Sequence, residues 1–551
     1  MTKKVFIGAA WPYANNSLHL GHVAGLIGAD IIARHARLSG NEVLYVSGSD
    51  CHGTPIVLTA EKEKIAPAQV ADKYHKEFCD NLINGLGFSY DIYTTTLTKN
   101  HEEVVQEFFL DLYEKKLIYK KIQSLPYCDQ CQRFLPDRYI EGKCPTCGFL
   151  SARGDQCDEC GTILDPDQLI DPKCKACGSK PTWKESEHFF LKLSHFEKDL
   201  LGWAKKSEGW RSNAKNFTLK ILEGGLHDRA ITRDTAWGIN IPLDGYEDKK
   251  IYVWFEAVCG YFSASKELSK KSGSDDWKKF WQDDKAIHYY AHGKDNIPFH
   301  SIIWPAILLG HGSLHLPDRI VSSEYLTLEK SQFSKSRNWA VWLPDFLKGF
   351  DGELLRYYLI SNGPETSDAD FSWKDFQVKI NKELIGNFGN FIHRSLSLIK
   401  NNFPDGVELP KKLNDNQAEF VKLVDDSFDE VSNLIEQTKF KNAIKRVFEI
   451  VELGNKFLVE QKPWEQLKTD KEKAGADLAV CAYSICSLAN LINPFLPTVT
   501  DRIGESLDCE LARIWRKPTL TQFKVQKEIK TLFTKIEDEA VAREIAKLQS
   551  K

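Results

Sequence analysis

Eight of the fourteen cysteines stand in four C-x2-C pairs between residues 128 and 177: Cys128 with Cys131, Cys144 with Cys147, Cys157 with Cys160, and Cys174 with Cys177. Eight thiolates at that spacing suit two tetrahedral zinc sites of four cysteines each. Glycine follows Cys147, Cys160 and Cys177, where a metal knuckle must turn tightly. Iron–sulfur clusters and redox pairs use the same residue type and are the alternatives. Spacing alone does not decide which pairs share a metal; sequential and interleaved sharing both stay open. A zinc closed by four thiolates keeps no position for substrate, so these sites build structure.

Two other stretches offer chemistry. Residues 9–22 read AAWPYANNSLHLGH, a turn between an apolar run and a helical pattern. Ser17 is the expected cap of that helix, whose first turn offers free N–H groups and a positive dipole to an anion. His19 and His22 are three apart and share that end, and Gly21 lets a flat ligand lie against the backbone. A triphosphate fits such a cradle. Gln332–Trp339 reads QFSKSRNW, a short cationic loop around Lys335 that can neutralise charge on a departing pyrophosphate. Taken singly, each is also what an ordinary solvated turn looks like.

The elements that must position these residues follow from pattern. Val5–Ala10 reads as a buried strand, Ser17–Arg37 as a helix and Asn41–Asp50 as a second strand. The alternation returns at Lys250–Leu268 and Ala286–Gly310, which predicts a parallel sheet covered on both faces and split by the cysteine-rich segment at about Ile122–Lys184. Past Trp373 the strand signals fade and amphipathic helices run to the end, as in a helical bundle. The expected fold is therefore α/β. A Rossmann-type catalytic domain occupies residues 1–120 and 241–325, with a connective insertion over 121–240. A region carrying the lysine loop spans 326–374, and an α-helical domain spans 375–551.

Composition narrows the class. The 551 residues are 42% hydrophobic and 27% charged with a net charge of −4, so any nucleic acid must be met by local patches. The N-terminus is a poor signal peptide. Leu478–Leu496 has no charge, but Ser484, Ser487, Asn490 and Asn493 recur along it and Pro494 closes it, as in a packed helix and not a membrane span. A cytoplasmic protein with reduced thiols is expected, which argues against disulfides. Met1 is the one methionine of the chain.

Together, HLGH after a strand, a cysteine-bearing insertion, a GKDN turn and SKSR before a helical region resemble the class I aminoacyl-tRNA synthetases, and within them the methionyl-tRNA synthetase family. The resemblance covers essentially the whole chain. Its longer matches are PYAN at Pro12–Asn15, HGTP at His52–Pro55, FLPDRY at Phe134–Tyr139, SEHFF at Ser186–Phe190, YVWFEA at Tyr252–Ala257 and GKDNIPFHSIIWP at Gly293–Pro305.

The resemblance implies an ATP site at His19, Gly21, His22, Gly293, Lys294, Asp295 and Lys335, with Mg2+ accompanying ATP. It implies an amino-acid pocket of Ala10, Trp11, Tyr13, Asp50, Trp254, Ala257, Val258, Tyr261, Phe299 and His300, with Trp304 close by. It implies one zinc on Cys144, Cys147, Cys157 and Cys160 and a second on Cys128, Cys131, Cys174 and Cys177. In the helical region it implies anticodon recognition by Asn390, Arg394 and Trp464. The implied reaction joins L-methionine to initiator and elongator tRNA(Met) through a methionyl-adenylate, releasing pyrophosphate and AMP.

Three departures stand out. Gln332 occupies a position where the family's loop usually has Lys, leaving Lys335 with more of the burden, helped by Lys330 or Arg337. Trp11 stands where Leu is common, and Val258-Cys259 where Pro-Ile is frequent. The chain ends on a charged helix at about Gln526–Lys551 and not on a dimerising module, so a monomer is expected. Two rivals share the motifs: a ligase for another apolar amino acid, and a tRNA-binding protein that activates nothing. Pyrophosphate exchange with each amino acid separates all three.

Overall fold

The computed structural model describes residues 2–549 apart from 158, 161, 163, 334–338, 508–512 and 527, with backbone alone for residues 137 and 549. The apolar N-terminal run forms strand β1 (Lys4–Ala9), which turns into helix α1 (Leu20–Leu38) and strand β2 (Glu42–Ser49). Strand β3 (Ile92–Thr95) follows two helices later. The cysteine-rich segment hangs on a long antiparallel pair, β4 (Ile118–Cys128) and β5 (Thr182–Leu191). Helix α2 (Val253–Ser272) then leads to β6 (Ile287–Gly293) and β7 (Arg319–Ser323).

These five strands make one parallel sheet in the order β7-β6-β1-β2-β3. The chain winds outward from β1 through β2 and β3, then returns to the other side of β1 for β6 and β7. The connections therefore part between β1 and β6, opening a crevice at the carboxyl ends of those strands. Ala10 donates its N–H to the Ala291 carbonyl at 2.9 Å across that seam. The strand expected at the start of the second half is only the pair Lys250–Ile251, because Val253 already begins α2.

Side chains alternate across the sheet, and each face owns a core. Val5, Ile7 and Ala9 point into one cluster with α1 and the C-terminal helices. Phe6, Leu44 and Val46 point into another with α2 and the base of the insertion, including Phe189 and Leu191. The C-terminal helices include α3 (Gly352–Asn362), α4 (Asn390–Asn402), α5 (Phe440–Gln461) and α6 (Lys471–Ile492). Helix α6 is long and apolar enough to cross a membrane, but 89% of its apolar window is buried inside the protein, as a core helix is.

Where α1 meets these helices the contact is close and partly ionic. The Phe440 ring lies against Gly28, where a Cβ would come within 2.7 Å of it. Asp30 and Arg356 pair at 2.8 Å with neither side chain exposed. Arg34 also pairs with Asp30 at 2.8 Å, and Ser89 donates to it from N and Oγ, each at 2.7 Å. Burial pushes the Asp30 carboxyl up, but Arg356, Arg34 and Ser89 outweigh it and hold the group below its ordinary value. Arg356 also donates to the carbonyls of Phe495 (2.7 Å), Leu86 (3.2 Å) and Pro494 (3.2 Å).

Removing one partner of such a pair leaves a buried charge unmet. Asp30→Ala should cost about 3–5 kcal/mol, whereas the apolar pair Asp30→Leu with Arg356→Met should recover most of it. Melting temperatures of the three proteins check this; an Asp30→Ala protein that melts like the parent would refute it.

Candidate active site and metal centres

The turn after β1 is capped by imidazole. Helix α1 starts at Leu20, three residues later than the sequence pattern suggests, and its cap is His19 and not Ser17. His19 Nδ1 accepts from the Gly21 N–H at 3.1 Å, and His22 Nδ1 accepts from the His19 N–H at 3.0 Å. Each ring thus spends its Nδ1 lone pair on the backbone, which leaves the proton of the neutral ring on Nε2. A reciprocal cap of this kind is usually written with Ser or Thr and Glu. With histidine the same geometry satisfies the helix end while keeping two Nε2–H donors at an anion-seeking terminus.

The segment around the lysine loop closes on this turn. Phe333 stacks on His19 with ring centroids 4.6 Å apart and planes 9° from parallel. The Leu20 N–H reaches the Val341 carbonyl at 3.3 Å, and the Leu343 N–H reaches Leu18 at 2.7 Å. The loop leaves a hairpin whose turn residues Glu329 and Lys330 both have left-handed backbone (φ 48° and 64°), held by Asp370 accepting from the Lys330 N–H at 2.7 Å. Lys335 and Arg337 lie outside the described residues. Gln332 ends the hairpin, exposed.

Across the crevice, Tyr13 and Asp50 are joined as a parallel bridge extending β1 and β2. Asp50 is buried, and its carboxyl is pushed well above its ordinary value, first by burial and then by Glu256. Glu256, on α2, has no exposure; its Oε1 meets His52 Nδ1 at 2.6 Å, while its Oε2 is buried without a partner. Two carboxyls buried together make a hole that seeks a cation. Glu256 stands inside YVWFEA, where nothing in the local sequence singles it out.

Beside this hole, Trp254 and Phe299 stack at 3.9 Å and 6°, with Tyr13 edge-on to Trp254 at 6.0 Å. Tyr261 Oη lies 2.6 Å from His300 Nε2, and His300 Nδ1 lies 2.8 Å from the Asn296 carbonyl. A carbonyl only accepts, so Nδ1 carries the proton and Nε2 takes the Tyr261 hydrogen. Burial lowers the His300 pKa to about 4, which keeps this tautomer neutral. The wall facing the pocket is therefore aromatic and uncharged, suited to an uncharged soft atom. Ala257 is half-buried on the same helix and Val258 buried beside it. Trp304 stands behind this wall in the core, donating to Tyr290 Oη at 3.0 Å.

Ala10 and Trp11 lead into the pocket from β1. The indole of Trp11 fills a slot between β2 and α2, where Cβ atoms on Gly48 and Gly260 would come within 2.6 Å and 3.0 Å of it. Its Nε1 is buried without a partner. At the end of β6, Gly293 begins the GKDN turn. Lys294 there pairs with Glu324 at 2.7 Å and Asp368 at 2.9 Å, and Asp295 accepts a short hydrogen bond from the Tyr325 hydroxyl.

A cleft of about 650 Å3 opens from Trp254, Phe299 and Asp295 toward the insertion, where Trp183 and Phe134 line it. Arg233 also lines it, with its guanidinium 3.6 Å from the Tyr252 ring centroid. No motif in the sequence singled this arginine out.

The eight thiols gather as two quartets: Cys128, Cys131, Cys174 and Cys177, and Cys144, Cys147, Cys157 and Cys160. The outer pairs nest around the inner ones because β4 and β5 pair antiparallel from Tyr127 with Thr182 down to Ile118 with Leu191. Sulfur–sulfur separations are 3.5 and 3.9 Å in the outer quartet and 3.8 and 3.6 Å in the inner one. Zinc–sulfur bonds of about 2.3 Å give a tetrahedron with edges of about 3.8 Å, so both quartets fit the ion. Gly148 and Gly178 turn through φ 79° and 75° behind their cysteines.

In the helical region, Asn390 opens α4, exposed, after a π-type stretch at Ile380–Gly389. One turn on, the Arg394 guanidinium stands 5.5 Å from the Trp464 ring centroid. Trp464 is half-buried on the short helix Pro463–Thr469.

Two family models match the chain: class I tRNA synthetases (M) over residues 5–396, and the anticodon binding domain of methionyl tRNA ligase over residues 407–550. Methionine–tRNA ligase 2 of Bacillus cereus is 47% identical over 547 residues, 99% of each chain. The methionine–tRNA ligase of Bacillus mycoides is likewise 47% identical over 547 residues and 99% of each chain. The Mycobacterium tuberculosis methionyl-tRNA synthetase bound by methionyl-adenylate shares the fold at a TM-score of 0.81 with 23% identity, across 97% of this chain and 100% of that one.

The quartets make separable sites. Cys144→Ser and Cys128→Ser should each lose one zinc of two per chain, and the double variant both, by elemental analysis of the purified protein. Loss of both metals from either single variant would contradict the nested grouping.

Proposed function

The chain belongs to the methionyl-tRNA synthetase family, with the activity of an ATP-dependent methionine–tRNA ligase, and on that premise we propose which of its residues carry each step. The observation that supports the assignment is electrostatic. A hole of buried carboxyls at Asp50 and Glu256 and an anion-seeking helix terminus at His19 and His22 flank one crevice, at the point where the sheet reverses its winding.

Activation requires the methionine carboxylate to attack the α-phosphate of ATP while pyrophosphate leaves. Asp50 pairs the substrate ammonium and is ionised by it. The thioether lies among Trp254, Ala257, Val258, Tyr261, Phe299 and His300, where the Tyr261–His300 hydrogen bond leaves no charge to repel it. Ala10, Trp11 and Tyr13 form the wall on the β1 side. His19 and His22 donate from Nε2 to the phosphates, with Gly21 letting the nucleotide approach. Gly293, Lys294 and Asp295 meet the nucleoside, and Lys335 receives the charge of the departing pyrophosphate. Positioning and preorganised charge carry this chemistry, with no covalent intermediate on the protein. Mg2+ bound to ATP screens the phosphate charge during activation.

In the second step the terminal ribose hydroxyl of tRNA(Met), initiator or elongator, attacks the acyl carbon and AMP leaves. The cleft between the insertion and Trp254 supports entry of that single-stranded end, since exposed aromatic faces such as Trp183 stack bases without regard to sequence. Far from it, Asn390, Arg394 and Trp464 read the anticodon. An indole already beside a guanidinium offers stacking to an unstacked base, and the exposed amide offers its edge hydrogen bonds.

Zinc on both quartets holds the insertion in shape; four thiolates leave the ion no role in the reaction. We divide the chain as a catalytic fold over 1–120 and 241–325, a connective insertion over 121–240, the lysine-loop region 326–374 and the anticodon-binding region 375–551. The enzyme works in the cytoplasm as a monomer, with no membrane partner.

Pyrophosphate exchange should respond to methionine alone among the twenty amino acids; no exchange at all would favour a binding protein. In the same assay Lys335→Ala should lose far more turnover than Lys330→Ala, and equal small losses would sink the loop assignment. Trp464→Ala should leave exchange unchanged while aminoacylation of tRNA(Met) falls about 5- to 150-fold, the range for losing one base stack.

A further inference from the structure

One hydroxyl at the GKDN turn has no part in the steps above. Asp295 stands on a single turn of 3-10 helix, Lys294–Asn296, just past β6. It is exposed and lines the cleft together with Phe299. An aspartate so placed can rotate about both of its side-chain bonds, and on its own its carboxylate keeps no fixed direction. Here it has one. Asp295 Oδ1 accepts the short hydrogen bond from Tyr325, and among the described residues that hydroxyl is the carboxylate's one partner. Oδ2 is left to the cleft.

Tyr325 is itself held from several sides. It follows β7 and precedes a short strand, Leu326–Leu328, that pairs parallel with Ala369–Phe371 and leads into the hairpin of the lysine loop. Its N–H donates to Asp368 Oδ1 at 2.9 Å, and its carbonyl accepts from the Ala369 N–H at 3.0 Å. The Lys294 ammonium lies 3.7 Å from its ring centroid, and that same ammonium pairs with Glu324 and Asp368. Glu324 is fixed in turn by Asn213, which donates to its other oxygen at 2.7 Å. Backbone and charge therefore aim the phenol before any ligand arrives.

Lys294 meets two carboxylates, and its place over the Tyr325 ring holds that ring against the turn. Burial, and then the bond to Asp295, raise the Tyr325 phenol above its ordinary pKa, so it stays a donor. A ribose brings hydroxyl donors, and an ionised carboxylate only accepts. A carboxylate whose plane is already fixed gives up less freedom on binding than one that rotates. Which of its oxygens meets the ligand is then decided in advance.

We propose that Tyr325 is a positioning residue for the nucleotide: its hydroxyl holds one oxygen of Asp295 and turns the other to a ribose hydroxyl of ATP, and so sets the preference for a ribonucleotide over a deoxyribonucleotide. This rests on the assignment of Asp295 to the nucleoside.

The test uses the full chain with its zinc and compares ATP, 2′-deoxyATP and 3′-deoxyATP in two ways. One is equilibrium binding without methionine, where no adenylate forms, and the other is pyrophosphate exchange. The parent should prefer ATP over the poorer analogue by about 10- to 150-fold, the range for one hydrogen bond to a charged group. Tyr325→Phe keeps the ring over Lys294 and removes the hydroxyl alone. It should cut that preference by about threefold or more and raise KM for ATP, while KM for methionine changes by less than about twofold. A general loosening of the site would move both KM values and would overturn the proposal. Asp295→Ala should abolish the preference, and Tyr325→Phe added to it should cost nothing further, since the hydroxyl acts through the carboxylate. A preference in Tyr325→Phe equal to or above the parent's would overturn the proposal. So would losses that add in the double variant, because the hydroxyl would then meet the nucleotide itself. If Asp295→Ala keeps the parent's preference, the assignment of Asp295 to the nucleoside falls and the proposal with it. If Asp295→Ala loses it and Tyr325→Phe does not, that assignment stands and the positioning role alone falls.

Discussion

Burying the Arg356 guanidinium costs several kcal/mol of desolvation unless its donors are met, and here they are met by three separate parts of the chain. Asp30 on α1 supplies the counter-charge at 2.8 Å, Leu86 supplies a carbonyl at the edge of the sheet, and Pro494 and Phe495 supply two more from the helical region. None of the three can move far without stranding a charge in the core. The consequence runs along α1. Its middle is clamped by Arg356 and by Phe440 against Gly28, and its first turn is the reciprocally capped histidine pair. The reactive end of the helix is therefore placed by contacts about 15 Å away, ten residues at 1.5 Å each.

The reaction needs two unlike electrostatic settings close together, and one sheet supplies both. At the carboxyl end of β1, α1 presents N–H groups and two ring donors to an anion. At the carboxyl end of β2, Asp50 and Glu256 share a buried volume that is uncomfortable until a cation arrives. Reciprocal capping makes the first setting economical, because the groups that satisfy the helix end are also the groups offered to the ligand. The second is costly to the free protein, as a binding site built for a charged group must be.

Local pattern made much of this legible. The strand–turn–helix at the N-terminus follows from an apolar run before a periodic one, and the four C-x2-C pairs announce metal. Which pairs meet was not legible from spacing, since nesting depends on β4 and β5 closing antiparallel over more than fifty intervening residues. The cap was misread because Ser17 has the usual chemistry for one, whereas His19 wins by finding its partner in His22. Trp11 could be seen as unusual but not as accommodated, because the room for its indole comes from Gly48 and Gly260, far away in the chain. Glu256 is hidden for the same reason: it acquires its meaning only from a partner that folding brings near.

The two cores divide along the sheet and not along the sequence. The face of β1 that carries Val5, Ile7 and Ala9 shares its cluster with Leu496 and Ile503, made some five hundred residues later. A ribosome at about 5–20 residues per second takes roughly half a minute to a minute and a half to supply that cover. Until then the inner face of α1 and one side of the sheet have only the part of their cover that earlier residues such as Phe78, Leu82 and Leu355 supply. The face that meets the insertion is completed sooner, since its contributors end near Ile320. Synthesis of this protein thus carries a built-in period of partly exposed apolar surface, longest beneath helix α1.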